Sequence, residues 1–146
     1  MADASTVLQG GRRKAFRPLP ADDRRAALAA GIEAYERGDF FLAHELLEPA
    51  WMGTADVAER ELHQGLIKLA AAYVHAVRGN PAGVTKNLRG SLERLRGSVA
   101  AGSATEVDFG LDVAALVGEI ERRLEALGVD PASIPPPPAL PRKGKE

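Results

Sequence analysis

The most constraining feature of this chain is a helix-forming segment that is apolar on almost every side. From Leu66 to Val77, only Lys68 and His75 interrupt a run of leucine, isoleucine, alanine, valine and tyrosine. Alanine and leucine are strong helix formers, and a helix that is apolar all round is a buried helix. We therefore expect this segment to be the central helix of an all-α bundle.

Two helices are predicted before the central one. Apolar positions three and four residues apart predict the first from about Asp22 to Arg37, with Gly38 after its end. Asp39 is a typical N-cap for the second helix. Pro49 lies inside this second segment, where we expect a kink or an early end because proline has no N–H to donate.

The central helix is expected to begin at Thr54 or Asp56 and to continue to Arg78. Asn80 followed by Pro81 is typical of the start of a fourth helix, since proline fits the first helical position. A fifth helix is predicted from a single apolar stripe, made of Val113, Val117, Ile120, Leu124 and Leu127.

The predicted helices form one domain, because short connections imply antiparallel neighbours. The fold class is thus all-α, an antiparallel helical bundle of about five helices over residues 21–128. Residues 1–20 are expected to be a flexible N-terminal tail, and residues 129–146 a proline-rich flexible C-terminal tail. The C-terminal tail contains PxxP spacing, which fits aromatic grooves, but the preferred interpretation is a solvated terminus.

Composition excludes several classes of function. The chain has no cysteine, which excludes disulfide scaffolds, thiolate metal sites and cysteine nucleophiles. Its formal net charge of −1 provides no field that would attract nucleic acid or a membrane surface. No stretch approaches the roughly 20 apolar residues of a membrane span. We expect a cytoplasmic protein without membrane or nucleic-acid partners, whose oligomeric state, a homo-oligomer included, stays open.

The polar residues that interrupt the apolar pattern lie on the second helix. His44 and Glu48 are four residues apart and therefore share one face, which Trp51 continues. The pair allows three interpretations: ligands of a divalent metal, a metal-free acid–base pair, or a hydrogen bond that only fixes packing. The zincin His-Glu-x-x-His motif is excluded, since Glu48 stands where the second histidine would be.

An antiparallel hairpin of the second and third helices would bring more polar residues to the same height. With a turn near residues 53–55, position 44 lies level with about 65, and position 48 with about 61. The predicted cluster contains His44, Glu48, Gln64 and Glu33, with Glu61 and Lys68 at a similar height. His75 is about 16 Å further along the axis than Gln64, so it either belongs elsewhere or extends a larger pocket. His63 is expected to be exposed.

The same polar residues carry a resemblance to a known family. The matching residues are the segment Tyr35 to Glu48, Trp51, the segment Leu62 to Ala70, His75, Gly79, Asn80, Pro81 and Gly83. With them, the stretch from about Gly31 to Leu95 resembles the domain of unknown function 309 family of bacteria and archaea. The resemblance implies an all-α bundle and the loose description of a predicted metal-dependent hydrolase. It implies characteristic polar residues at His44, Glu45, Glu48, Gln64 and His75.

Two functions are therefore expected, and whether the protein is an enzyme stays open. In the first, it is a hydrolase of an unnamed small molecule, dependent on zinc, manganese or iron. Its catalytic residues are then His44, Glu45 and Glu48, its metal ligands His44 and Glu48, and its binding residues Gln64, Trp51 and His75. In the second, it is a non-catalytic helical interaction or scaffold module, and His44 and Glu48 only fix packing.

Overall fold

A computed structural model describes residues 6–9, 12–102 and 110–144 of the protein. This part of the chain contains five helices, which confirms the all-α bundle. They are α1 (Ala21–Glu36), α2 (Phe40–Met52), α3 (Val57–Val77), α4 (Pro81–Ala101) and α5 (Val113–Val129). Two short strands, β1 (Thr6–Gln9) and β2 (Arg12–Ala15), pair as an antiparallel hairpin within the region expected to be an N-terminal tail. Within the two expected tails, residues 1–5, 10–11 and 145–146 lie outside the described ranges.

Side-chain caps fix the starts of four helices. In each case a side-chain oxygen accepts a hydrogen bond from a backbone N–H three residues on. The capping residues are Asp39, Asp56, Asn80 and Asp112. Two glycines with positive φ, Gly38 and Gly79, follow the ends of α1 and α3. The predicted boundaries of α1, α3 and α4 are thereby confirmed to within a few residues.

Helix α2 does not end early at Pro49. It continues to Met52, because Pro49 lies on an exposed side of the helix, where water can bond the carbonyl that loses its N–H partner. The two residues after the proline, Ala50 and Trp51, are buried and hold the last turn against the core.

Helix α3 is the centre of the bundle, as its composition predicted. It packs against both α2 and α4, and the other large helix contacts are those of α1 with α2 and of α4 with α5. Gly65 permits the close approach of α4, since a Cβ built there would lie 2.5 Å from Cδ2 of Leu95. No helix in the described part of the chain is long and apolar enough to cross a membrane.

The described C-terminal residues differ from the flexible tail that we expected. Residues 130–144, which we name the strap, run along the bundle between α5 and α1. Tyr35 and Tyr73 donate hydrogen bonds from their hydroxyls to the carbonyls of Pro138 and Pro136, at 2.8 and 3.1 Å. Leu140 is only 6% exposed and belongs to the core. These hydrogen bonds hold the strap against the bundle. The buried tyrosine hydroxyls need acceptors, and the proline-rich backbone supplies carbonyls that no other backbone group uses.

Candidate functional site

His44 and Glu48 are half-buried on one side of helix α2. One stripe of α2 is made of residues at spacings of four, four and three: Phe40, His44, Glu48 and Trp51. The first member, Phe40, lies 5.7 Å from Tyr73 of α3 between ring centroids, and the last, Trp51, is 1% exposed. His44 and Glu48 between them are half-buried. We name this stripe and the side chains of α3 opposite it the seam.

Side chains meet across the seam about one turn away from the heights of their backbones. Helical side chains lean toward the N-terminus of their own helix, so in an antiparallel pair the two leans add. The contact between positions 40 and 73 shows this offset. If the same offset applies along the whole of α2, the side chain of Glu48 is level with about position 65 of α3, and that of Trp51 with about position 62. By height alone, Glu48 is level with Gln64 and Trp51 with His63, but Gln64 is nine residues from Tyr73 and therefore lies about 180° from it around α3.

Two buried donors, the indole of Trp51 on α2 and the amide of Gln64 on α3, have no partner in the described part of the chain. Gln64 is 4% exposed, and within the described residues neither its amide nitrogen nor the indole nitrogen of Trp51 finds a hydrogen-bond acceptor. A buried polar group without a partner costs about 1–3 kcal/mol, so such groups need an explanation. Glu45 lies on the exposed flank of α2 and away from the seam.

The packing interpretation of His44 and Glu48 requires a hydrogen bond that the described residues do not show. Neither side chain donates to or accepts from another protein group there, and neither carries a fully buried polar atom without a partner. Other members of the predicted cluster have partners elsewhere. Glu33 is exposed and pairs with Arg37 of its own helix, and Glu61 pairs with Arg94 of α4.

His75 lies away from the seam, at the corner between α3 and α4. Its Nδ1 is 3.1 Å from Nδ2 of Asn80. A Cβ at position 83 would overlap this Nδ1 of His75. Gly83 thus leaves the space that the imidazole occupies. Of the two alternatives for His75, the structure favours a place outside the cluster of His44, Glu48 and Gln64.

His63 is buried, so the expectation that it is exposed was wrong. Its Nδ1 lies 2.7 Å from the carbonyl oxygen of Glu59; a carbonyl only accepts, so Nδ1 carries the proton and Nε2 is the acceptor. Burial, together with the smaller effect of the nearby Arg24, lowers the pKa of His63 to about 3. The ring is therefore neutral at pH 7.

A buried ion pair next to His63 was also missed. Nε of Arg24 donates to a carboxylate oxygen of Glu59 at 2.5 Å, and both side chains are buried. The sequence does hold a signal for it. Arg24 begins a stripe that continues at Leu28, Gly31 and Tyr35 with spacings of four, three and four, all of which face the core.

The seam holds two candidate metal ligands, the imidazole of His44 and the carboxylate of Glu48. Within residues 6–9, 12–102 and 110–144, no three histidine, aspartate or glutamate side chains come together as a group able to hold a metal ion. Hydrolytic zinc sites use three protein ligands. The described donors therefore do not complete a site of that kind.

Fold and seam together define a small all-α bundle with a histidine and a glutamate on one half-buried stripe of its second helix. The family model of a domain of unknown function, DUF309, matches residues 28–87. This confirms the resemblance found in the sequence, and the matched segment contains the whole seam but not the strap. No curated protein and no solved structure matches the chain. The function of the matching family is, in the words of its description, unknown.

Proposed function

We propose that this protein binds a small polar molecule at the seam and that His44 and Glu48 act on it. The observation that carries the proposal is the state of these two side chains. Both are half-buried on α2, yet neither forms a hydrogen bond with the described part of the protein. They are available to a ligand, whereas side chains that only fixed packing would be bonded to each other or to a neighbour.

The seam residues suit a ligand with carbonyl or hydroxyl groups. Among the described residues, the amide nitrogen of Gln64 is a buried donor without a partner, and the proposal assigns it to the ligand. It can orient an acceptor of the ligand, while the indole of Trp51 forms a wall beside it. A carboxylate and an imidazole on one helix face can take a proton from water and return it to a leaving group. Hydrolysis is the reaction that such a pair supports.

The experiment compares His44→Ala and Glu48→Ala with Glu45→Ala, a matched control on the exposed flank of the same helix. We expect each seam variant to unfold in urea within about 1 kcal/mol of wild type, because no internal hydrogen bond is lost. We also expect both to abolish hydrolysis in a panel of ester, amide and phosphoester substrates, and Glu45→Ala to retain it. A loss of about 1–3 kcal/mol in both seam variants, with no hydrolysis by wild type, would support the packing interpretation instead.

A divalent metal is the second candidate for what the pair contacts. The observation that favours it is the four-residue spacing of an imidazole and a carboxylate on one half-buried stripe, an accepted ligand pair on a helix. Two protein ligands fit a metal that the ligand or water also coordinates. Elemental mass spectrometry of purified protein should then find zinc, manganese or iron in wild type and in Glu45→Ala. The metal should be lost from His44→Ala and from Glu48→Ala, and wild type that stays empty after incubation with all three would exclude it.

A further inference from the structure

Three aromatic side chains from three helices pack together beside the strap, and two of them, Tyr35 and Tyr73, donate hydrogen bonds to it. Phe40 packs edge-on against Tyr35 at 5.4 Å and tilted against Tyr73 at 5.7 Å, measured between ring centroids. We name this surface the aromatic groove. Arg123 of α5 borders it, and its Nε donates to the carbonyl of Pro136 at 2.8 Å.

The segment in the groove has one backbone conformation available. Residues 135–138 are four consecutive prolines. Proline fixes its own φ near −65°, and a proline also excludes the helical region for the residue before it. The result is a polyproline II helix, which forms no internal hydrogen bonds and leaves its carbonyls free.

The groove supplies donors at the spacing of those carbonyls. Tyr73 and Arg123 donate to residue 136, and Tyr35 donates to residue 138. Burial raises the pKa of both tyrosines, so their hydroxyls remain protonated. Aromatic side chains with hydrogen-bonding tips are the means by which proline-rich segments are recognised.

Two further contacts give the groove a preference for the residues C-terminal to the prolines. Leu140 is buried in the core, and Nη2 of Arg142 lies 3.0 Å from a carboxylate oxygen of Glu36. The accepted pattern is therefore a run of prolines, an aliphatic residue two positions after it and a basic residue two positions further on.

Phe40 also lines a separate cavity that no strap residue lines. This cavity of about 300 Å³ is lined by Phe40 together with Phe41, Val74, Val77 and Arg78. Phe41 and Val77 are 62% and 78% exposed. Because Phe40 belongs to both the groove and this cavity, the two apolar surfaces are neighbours.

We propose that the aromatic groove is a binding site for a proline-rich segment of a partner protein, and that the strap is its resident ligand, which the partner displaces. The proposal goes beyond the function proposed above, since it uses neither His44 nor Glu48. The strap indicates the chemistry of the partner. The groove donates its hydrogen bonds to backbone carbonyls of the strap, which any proline-rich segment can offer, and Glu36 adds a negative charge that suits a basic residue of the partner.

The test uses a fluorescent peptide with the sequence of residues 133–143 and a second peptide in which its four consecutive prolines are alanine. Binding by fluorescence anisotropy is compared for full-length wild type and for Leu140→Ala, which loosens the strap. We expect Leu140→Ala to bind the proline peptide at least about tenfold more tightly, because it competes less with its own strap. Adding Tyr35→Phe and Tyr73→Phe should weaken that binding about tenfold or more, whereas adding His44→Ala should not change it.

Equal binding of the alanine peptide, or no binding to any folded variant, would overturn the proposal. If circular dichroism shows that Leu140→Ala is unfolded, Arg142→Ala opens the strap in its place. Light scattering should find wild type to be a monomer. A wild-type dimer that dissociates when the strap is loosened would assign the groove to a second copy of this chain and not to a partner protein.

Discussion

At the scale of single residues, the polar groups of the interior differ in what they do. Arg24 and Glu59 are bonded to each other and connect α1 to α3. His44 and Glu48 are unbonded within the described residues and half-exposed. The sequence alone revealed the second pair, because two residues four positions apart in a helix lie on the same face. It did not reveal the first pair, whose members are 35 residues apart and meet only in the folded protein.

We expect the stability of the protein to fall in mild acid because of His63. Its pKa is lowered to about 3 in the folded protein, against about 6.5 in an unfolded chain. Between these two pKa values the unfolded state binds a proton that the folded state does not. The contribution of neutral His63 to the free energy of unfolding is therefore complete above pH 6.5 and is lost as the pH falls below it. The slope is up to about 1.4 kcal/mol per pH unit.

Urea unfolding of wild type and His63→Gln at pH 7.5, 6 and 5 measures that slope. Wild type should lose about 2 kcal/mol more than the variant between pH 7.5 and pH 5. Equal losses in the two proteins would mean that His63 is protonated in the folded state.

The Arg24–Glu59 pair should show strong non-additivity. Glu59→Leu removes the carboxylate from a buried guanidinium and should destabilise the protein by about 3–5 kcal/mol. The double variant with Arg24→Met should be more stable than Glu59→Leu alone, because no charge then stays in the interior. Denaturant unfolding of wild type, the two single variants and the double variant completes the cycle. Additive effects would place the two side chains in independent environments.

At the scale of elements, the starts of the helices were the most predictable feature. Asp39, Asp56 and Asn80 cap their helices through a bond to a residue three positions on, so a short stretch of sequence contains the whole signal. The partners across the seam were less predictable. Backbone heights put Glu61 beside Glu48, but the opposed lean of side chains moves the contacts by about one turn. Glu61 instead pairs with Arg94 of α4.

Two glycines in helices should respond to alanine in opposite directions. Gly65→Ala places a methyl group against Leu95 at the α3–α4 contact and should destabilise the protein by about 1–3 kcal/mol. Gly128→Ala adds a methyl group where no atom lies within 4 Å. It should stabilise α5 by about 0.5–1 kcal/mol, as alanine favours helix. Thermal unfolding of both variants checks the two signs, and a stabilising Gly65→Ala would contradict the close packing of α3 and α4.

At the scale of the whole molecule, the strap is the feature that the sequence concealed. A proline run has no helical or strand periodicity, so its pattern indicates conformation but not location. Its place depends on Tyr35 and Tyr73, which are 103 and 63 residues away from their acceptors. Only the assembled bundle brings these hydroxyls to one groove.

Leu140→Ala should lower the free energy of unfolding by about 2 kcal/mol or more, because it removes a buried side chain from the core. Pro137→Ala is the matched control within the strap, since Pro137 is exposed, and it should change stability by less than about 1 kcal/mol. Urea unfolding followed by circular dichroism measures both. A larger effect of Pro137→Ala would show that the stiffness of the proline run, and not its anchor, holds the strap.

The order of the helices also has a consequence for how the chain folds. The largest contacts join helices that are consecutive in sequence, and such short-range topologies fold rapidly, in microseconds to milliseconds. The hydrogen bond between Tyr35 and Pro138 instead closes a loop of 103 residues. Closing such a long loop costs the chain conformational entropy, which disfavours this contact early in folding. We expect neighbouring helices to assemble first and the strap to dock last. By the same reasoning the strap is the unit that detaches most readily from the native protein, while the five helices stay folded.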